Sequence, residues 1–247
     1  PIAHIVAGVR SFDINAPKEV NRIITDGLSD ILFTAGMTAN RNLNQTGTQE
    51  AHVHFVGNIL IDTLRHNRTR LQCPVSFSII GLKEKEYLLL TLNRRSLIQN
   101  DDKLKAIIQT ILSKTNLPIV APLHHYVKEK IHSLGIYDKK LHILPPQPYL
   151  AFGYLVNQAA AIITDSGNVA EEATFLGIPC ISLNTYAEHP ETVSVGTNCL
   201  VGEDTLLIEN ALETFRQGKW KKGELPERWD GRTAERIVQT LLDEYAQ

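Results

Sequence analysis

Apolar residues fall into two alternating patterns along this chain. Short runs rich in β-branched and aliphatic residues read as strands over residues 2–6, 31–34, 52–56, 87–92, 118–121, 141–144, 161–164, 180–183 and 199–201. Other segments carry the helical period. The run K-L-K-A-I-I-Q-T-I-L over residues 103–112 spaces its apolar side chains three and four apart. Residues 150–161 are apolar nearly all round, which predicts a buried helix, and residues 206–215 and 234–242 predict amphipathic helices. Strands alternating with helices predict the α/β class, with parallel sheets covered by helices. Residues 66–85, with Pro74 and Gly81, read as irregular, and a fresh series begins at Tyr87, so a domain boundary falls in this stretch.

Composition narrows the class further. The 247 residues are 43% apolar and 21% charged, which excludes a disordered or fibrous chain. A formal net charge of −2 gives no basic excess for holding nucleic acid by counterion release, so no nucleic-acid partner is expected. No apolar run reaches the roughly 18 residues of a membrane span, so no membrane partner is expected either. The three cysteines (Cys73, Cys180 and Cys199) have no metal-ligand spacing; they predict reduced thiols, a cytoplasmic location and no metal. The chain opens at Pro1 and enters a strand at once, which predicts that upstream sequence has been removed or is supplied by another chain.

Four places carry candidate chemistry. In Ile162-Ile163-Thr164-Asp165-Ser166-Gly167 a strand runs into a helix, and Ser166 or Gly167 can leave backbone N–H groups free at that helix's N-terminus, the kind of place where phosphate binds. Glu172 lies about one and a half turns in, placed to accept from ribose hydroxyls; an ordinary N-cap explains the same residues. Pro122-Leu123-His124-His125 follows a strand, so His124 touches phosphate or sugar, or simply opens the next helix. Arg94 and Arg95 read as a phosphate clamp or as a solvated pair. Arg10, Asp13, Glu19 and Arg22 form a charged group, in which Glu19 and Arg22, three apart, also read as a helix-surface pair. Trp220 and Trp229, among Lys and Glu, predict covers for the core edge. There is no G-x-S-x-G, G-x-G-x-x-G or Walker loop.

Taken in order, these segments resemble the non-hydrolysing UDP-N-acetylglucosamine 2-epimerase family. His4-Ile5-Val6-Ala7-Gly8-Val9-Arg10-Ser11 looks like its H-V-E-A-G-L-R-T, and Pro17-Lys18-Glu19-Val20-Asn21-Arg22 like its P-E-E-x-N-R. Val56-Gly57-Asn58 with Ile61-Asp62, Pro122-Leu123-His124, and Glu188-His189-Pro190-Glu191 followed by Gly196-Thr197 match further family motifs. Thr164 to Glu172 looks like its T-D-S-G-G-I-Q-E-E, and Asp230-Gly231 with Ala234 and Arg236 like its closing D-G-x-A-x-R.

The resemblance implies two Rossmann-like domains in the GT-B arrangement, with the first incomplete here. Residues 1–57 would be the tail of that first domain. Residues 58–247 would form a UDP-binding domain whose last helix returns to the first. It implies interconversion of UDP-GlcNAc and UDP-ManNAc by elimination and re-addition of UDP, without a cofactor. The implied partners are UDP or a UDP-N-acetylhexosamine and a second copy in a homodimer. Among the UDP-binding positions it implies Arg10, Arg94, His124, Phe152 near the uracil, Ser166 and Gly167 near phosphate, Glu171, and Glu172 near the ribose. For catalysis Glu19 and Arg22 are retained. Val6, Lys18 and Asn93 stand where the family has Glu, Glu and His. These departures predict impaired or absent epimerisation, with a degenerate UDP-sugar-binding or regulatory subunit, or a non-functional fragment, as alternatives.

Overall fold

The computed structural model describes residues 1–245. Its first elements are β1 (Ala3–Ile5), α1 (Pro17–Leu28), β2 (Ile31–Thr34), α2 (Met37–Gln45), β3 (Val53–Phe55) and α3 (Ile59–Asn67). Then come α4 (Val75–Ile80), β4 (Leu88–Thr91), α5 (Arg95–Ile98), α6 (Asp101–Lys114), β5 (Ile119–Pro122), α7 (His125–Ser133) and β6 (Leu141–Leu144). The last are α8 (Tyr149–Gln158), β7 (Ala161–Thr164), α9 (Gly167–Leu176), β8 (Cys180–Ser182), α10 (Glu191–Ser194), β9 (Asn198–Leu200), α11 (Thr205–Arg216) and α12 (Thr233–Tyr245). Among the described residues no helix is long and apolar enough to cross a membrane.

The chain divides into two compact units. One comprises residues 1–68, 186–195 and 225–247, and the other comprises residues 69–185 and 196–224. The second unit is a six-stranded parallel sheet in the order β6-β5-β4-β7-β8-β9. Numbered within the unit this is 3-2-1-4-5-6, the order of a Rossmann sheet. Helices cover both faces. Leu88 and Leu90 of β4 pack with Ile107 and Ile111 of α6 and Ile208 and Leu212 of α11. Leu89, pointing the other way, packs with Leu155 of α8 and Val169 and Ala173 of α9. Burial on both faces is why β4 reads as an unbroken apolar run instead of an alternating one.

The first unit carries a parallel sheet in the order β1-β2-β3. Ile31 and Phe33 of β2 share a core with Val56 and with Ile237 of α12, and Leu32 faces Ala7 and Leu43. The helix α3 belongs to this unit, so the chain passes into the second unit at residue 68, inside the 66–85 stretch where the pattern breaks and not at the 57 that the resemblance implied. Hydrogen bonds explain the placement. The Asp62 carboxylate accepts the N–H groups of Thr233 (3.1 Å) and Ala234 (2.8 Å) at the start of α12, and Arg65 donates to the Asp230 carbonyl at 2.8 Å.

Three local expectations are corrected. The stretch 66–85 is not wholly irregular, because α4 lies inside it, ended by Gly81 at φ +74°. Its six residues are too few to show a period, and Phe77 anchors it edge-on to Tyr87 and Tyr154. The apolar helix α8 is not buried all round. Leu155 and Val156 are its buried residues, while Phe152 and Tyr154 are half-covered against the same core. Trp229 is no edge cover. It is 1% exposed, donates its indole N–H to the Ala35 carbonyl at 3.0 Å and meets His189 edge-on.

Candidate functional site

The strand order of the second unit reverses between β4 and β7, and α/β sheets take ligands at the carboxyl ends of strands at such a reversal. Thr91 and Thr164 pair across the two strands and share a hydrogen bond between their hydroxyls at 2.6 Å. The Asp165 carboxylate accepts the backbone N–H groups of Asn93 and Arg94, both at 2.7 Å. Burial pushes the Asp165 carboxyl up, more than these bonds pull it down.

Ser166 is the N-cap of α9, but its side chain makes no capping bond and no acidic residue lies in the first turn. Ser166 and Gly167 are half-buried and Asn168 is exposed. The helix therefore opens with uncapped N–H groups and the positive end of its dipole. Glu171 and Glu172 are buried in the same helix. Burial and the charge of Glu171 push Glu172 up to about 7. Tyr149, at the start of α8, is raised by burial and then by the Glu172 charge; Phe152 lies one turn on. Tyr149 escaped sequence reading because α8 and α9 meet only in the fold.

Because the folded Glu172 holds its proton to higher pH than the unfolded one, its ionisation opposes folding. Stability is fully present below the ordinary carboxylate range and falls as pH rises to about 7. Glu172→Gln removes that loss, on the order of 3 kcal/mol. Urea titrations from acid to neutral pH check this, and parallel curves for the two proteins would refute it.

Arg94 is less free than a clamp requires. Its guanidinium donates to the Leu183 carbonyl at 2.8 Å and pairs with Glu203 at 2.9 Å, leaving the exposed Arg95 as the solvated member. His124 is exposed at the end of β5, caps α7 without a side-chain bond and stacks on Tyr126.

The first unit holds a separate cleft of about 250 Å³, lined by residues 8–12, by the start of α2 and by residues 186–191. Its floor is the turn after β1. Val6 sits at φ +67°, a strained conformation for a β-branched residue, and Gly8 at +75°. A Cβ on Gly8 would lie 2.5 Å from the Ala39 carbonyl oxygen. Asp26 holds the turn together. Its carboxylate pairs with Arg10 and with His4, each at 2.6 Å, and accepts the Gly8 N–H at 3.2 Å. Burial raises the Asp26 carboxyl, but the bonds from His4 and Arg10 prevail and hold it below the ordinary range.

Glu19 and Arg22 are not a surface pair. Glu19 is 2% exposed and accepts from the Ser11 N–H and hydroxyl and from the Phe12 N–H, at 2.8–3.0 Å. Both of its oxygens are thus used in fixing the loop after Arg10. Arg22 pairs with Glu188 at 2.7 Å, and Lys18 reaches the other oxygen of Glu188 at 2.5 Å. Burial raises Glu188, yet Lys18 and Arg22 draw it below the ordinary carboxylate range. Helix α1 therefore turns Glu19, Arg22 and Asp26 inward while Ile23, Ile24 and Leu28 are exposed. The spacing 19, 22, 26 is the sequence signal for that polar face. The expected group is thereby split: Glu19 stays with the loop after Arg10, Arg10 goes to Asp26, and Arg22 to Glu188.

A family model described as UDP-N-acetylglucosamine 2-epimerase matches residues 1–242. The UDP-N-acetylglucosamine 2-epimerase of Methanocaldococcus jannaschii is 35% identical over 253 aligned positions, covering 97% of this chain and 68% of the relative. The UDP-2,3-diacetamido-2,3-dideoxy-D-glucuronate 2-epimerase of Pseudomonas aeruginosa is 32% identical, covering 98% and 68%. Among solved structures, the M. jannaschii UDP-GlcNAc 2-epimerase in complex with UDP-GlcNAc and UDP matches with a TM-score of 0.83 at 34% identity, over 98% of this chain and 68% of that one. The chain spans 61% to 68% of the length of such curated relatives.

Proposed function

The chain belongs to the UDP-N-acetylglucosamine 2-epimerase family, and from that premise we propose that it binds UDP and UDP-N-acetylhexosamines with its epimerisation impaired. The observation that carries the reading is the uncapped start of α9 at the strand reversal, with Glu172 buried in the same helix. The N–H groups of Gly167 and Asn168 and the helix dipole would hold the pyrophosphate. Glu172 would take the ribose hydroxyls, with the Phe152 ring near the uracil. A homodimer acting in the cytoplasm is part of the same reading.

Epimerisation at C2 removes the C2 proton and expels UDP from C1, and UDP then adds back after C2 is protonated on the other face. The helix start stabilises the departing diphosphate. The proton steps need a group that changes protonation state at C2. Val6 has none. The Lys18 ammonium is committed to Glu188, and Glu188 and Glu19 are both held ionised by their donors. A binding or regulatory role is thus favoured over rapid turnover.

Proton NMR of UDP-N-acetylglucosamine in D₂O with the intact chain tests both halves. The expected result is broadening of the uridine resonances with the C2 proton retained. Ser166→Ala with Glu172→Ala is expected to weaken UDP binding by roughly tenfold or more, about 1.4 kcal/mol. Loss of the C2 signal would overturn the impairment, and unchanged UDP affinity in the double variant would overturn the site.

A further inference from the structure

We propose that Asp165 is a positioning residue that ties the turn after β4 to the nucleotide-binding turn after β7, so that UDP affinity depends on the placement of its carboxylate. The inference rests on the nucleotide reading given above. Asp165 directly precedes Ser166 and Gly167, while its Oδ2 accepts the N–H groups of Asn93 and Arg94, more than 70 residues earlier in the chain. Two 2.7 Å bonds from N–H groups to a carboxylate are of the strong, charge-assisted kind. They turn the carboxylate toward the neighbouring turn, so that peptide dipoles offset its charge.

The same residue gathers the adjoining strand ends. Asn184, just past β8, donates its amide to the Asp165 carbonyl at 3.1 Å. Arg94, oriented by its own anchored N–H, reaches the Leu183 carbonyl and Glu203. The carboxylate and the carbonyl of this one residue thereby fix the floor on which the first turn of α9 stands. The other oxygen, Oδ1, is buried with no hydrogen-bond partner. This asymmetry makes the residue unusually easy to test. An asparagine can put its carbonyl oxygen where Oδ2 lies and its amide where Oδ1 lies, keeping the geometry while losing the charge. A glutamate keeps the charge but carries it one methylene too far.

Positioning therefore predicts a specific order of effects. Asp165→Asn should keep UDP affinity within about threefold, whereas Asp165→Glu should lose roughly tenfold or more. Amide hydrogen exchange measured without nucleotide should show Asn93 and Arg94 protected in the wild type and in the Asn variant, and opened in the Glu variant. The full-length chain is used throughout, with far-UV circular dichroism confirming that each variant is folded. A Glu variant that binds UDP as tightly as the wild type overturns the proposal, as does an Asn variant weaker than the Glu variant. The exchange comparison separates the two readings: a wild type that does not bind UDP defeats the nucleotide site, while unprotected Asn93 and Arg94 amides in the wild type defeat the anchoring itself.

Discussion

Asp26→Ala is expected to destabilise the first unit by about 3–5 kcal/mol, the range for removing one partner from a buried ion pair. The Arg10 side chain, 6% exposed, would keep its charge in a place with no counter-charge. His4 and the Gly8 N–H would lose their acceptor in the same step, leaving the strained Val6 turn unsupported. Asp26→Asn keeps an acceptor and should cost less. The pH dependence has a definite sign. Because the folded carboxyl is held below its unfolded value, its contribution is complete above the ordinary carboxylate range and is lost as pH falls through the lowered value. Urea denaturation followed by circular dichroism should show the wild type losing stability in acid more steeply than the Asn variant. Equal urea midpoints for the wild type and the Ala variant would show that the pair carries no weight.

Trp229→Ala is expected to cost a comparable amount, about 3–5 kcal/mol, because a fully buried indole leaves a large cavity. Trp229 is held by Ala35 on one side and His189 on another, so its loss loosens the 186–195 segment together with the C-terminal one. Trp229→Phe keeps most of the volume and removes the hydrogen bond, isolating about 1 kcal/mol. The two tryptophans allow a direct check. Trp220 lies in the second unit, where its indole donates to the Thr197 carbonyl at 2.9 Å. Near-UV circular dichroism and proteolysis should show Trp229→Ala melting the first unit at lower temperature while Trp220 keeps its surroundings. A single unchanged transition would remove the assigned role.

What the sequence discloses follows from what local pattern can carry. Strand β4 was legible because burial on both faces makes Leu88, Leu89 and Leu90 apolar without interruption. The turn at Asp165, Ser166 and Gly167 was legible because a strand and a helix meet there with helix-starting residues between. The partners of Asp165 were not, since Asn93 and Arg94 reach it only when β4 and β7 become neighbours. Likewise Lys18 reads as a bare charge reversal, and the structure supplies its reason in Glu188, 170 residues away. Helix α1 misled for a related cause. Its polar stripe serves the loop and turn beside it, so a rule that turns charge outward assigns Glu19 and Arg22 to the wrong face.

The segmented make-up of the first unit sets the order in which the protein can be completed. Strands β1 to β3 leave the ribosome well before the helix that covers Ile31 and Phe33 and the indole that seats against Ala35. The second unit draws on residues 69–185 and 196–224, so its sheet can close while the first is still open. Contacts of such long sequence separation form slowly. Strands β1 to β3 are therefore made before the second unit yet finished after it, and until α12 arrives their half-covered sheet is exposed to misassembly.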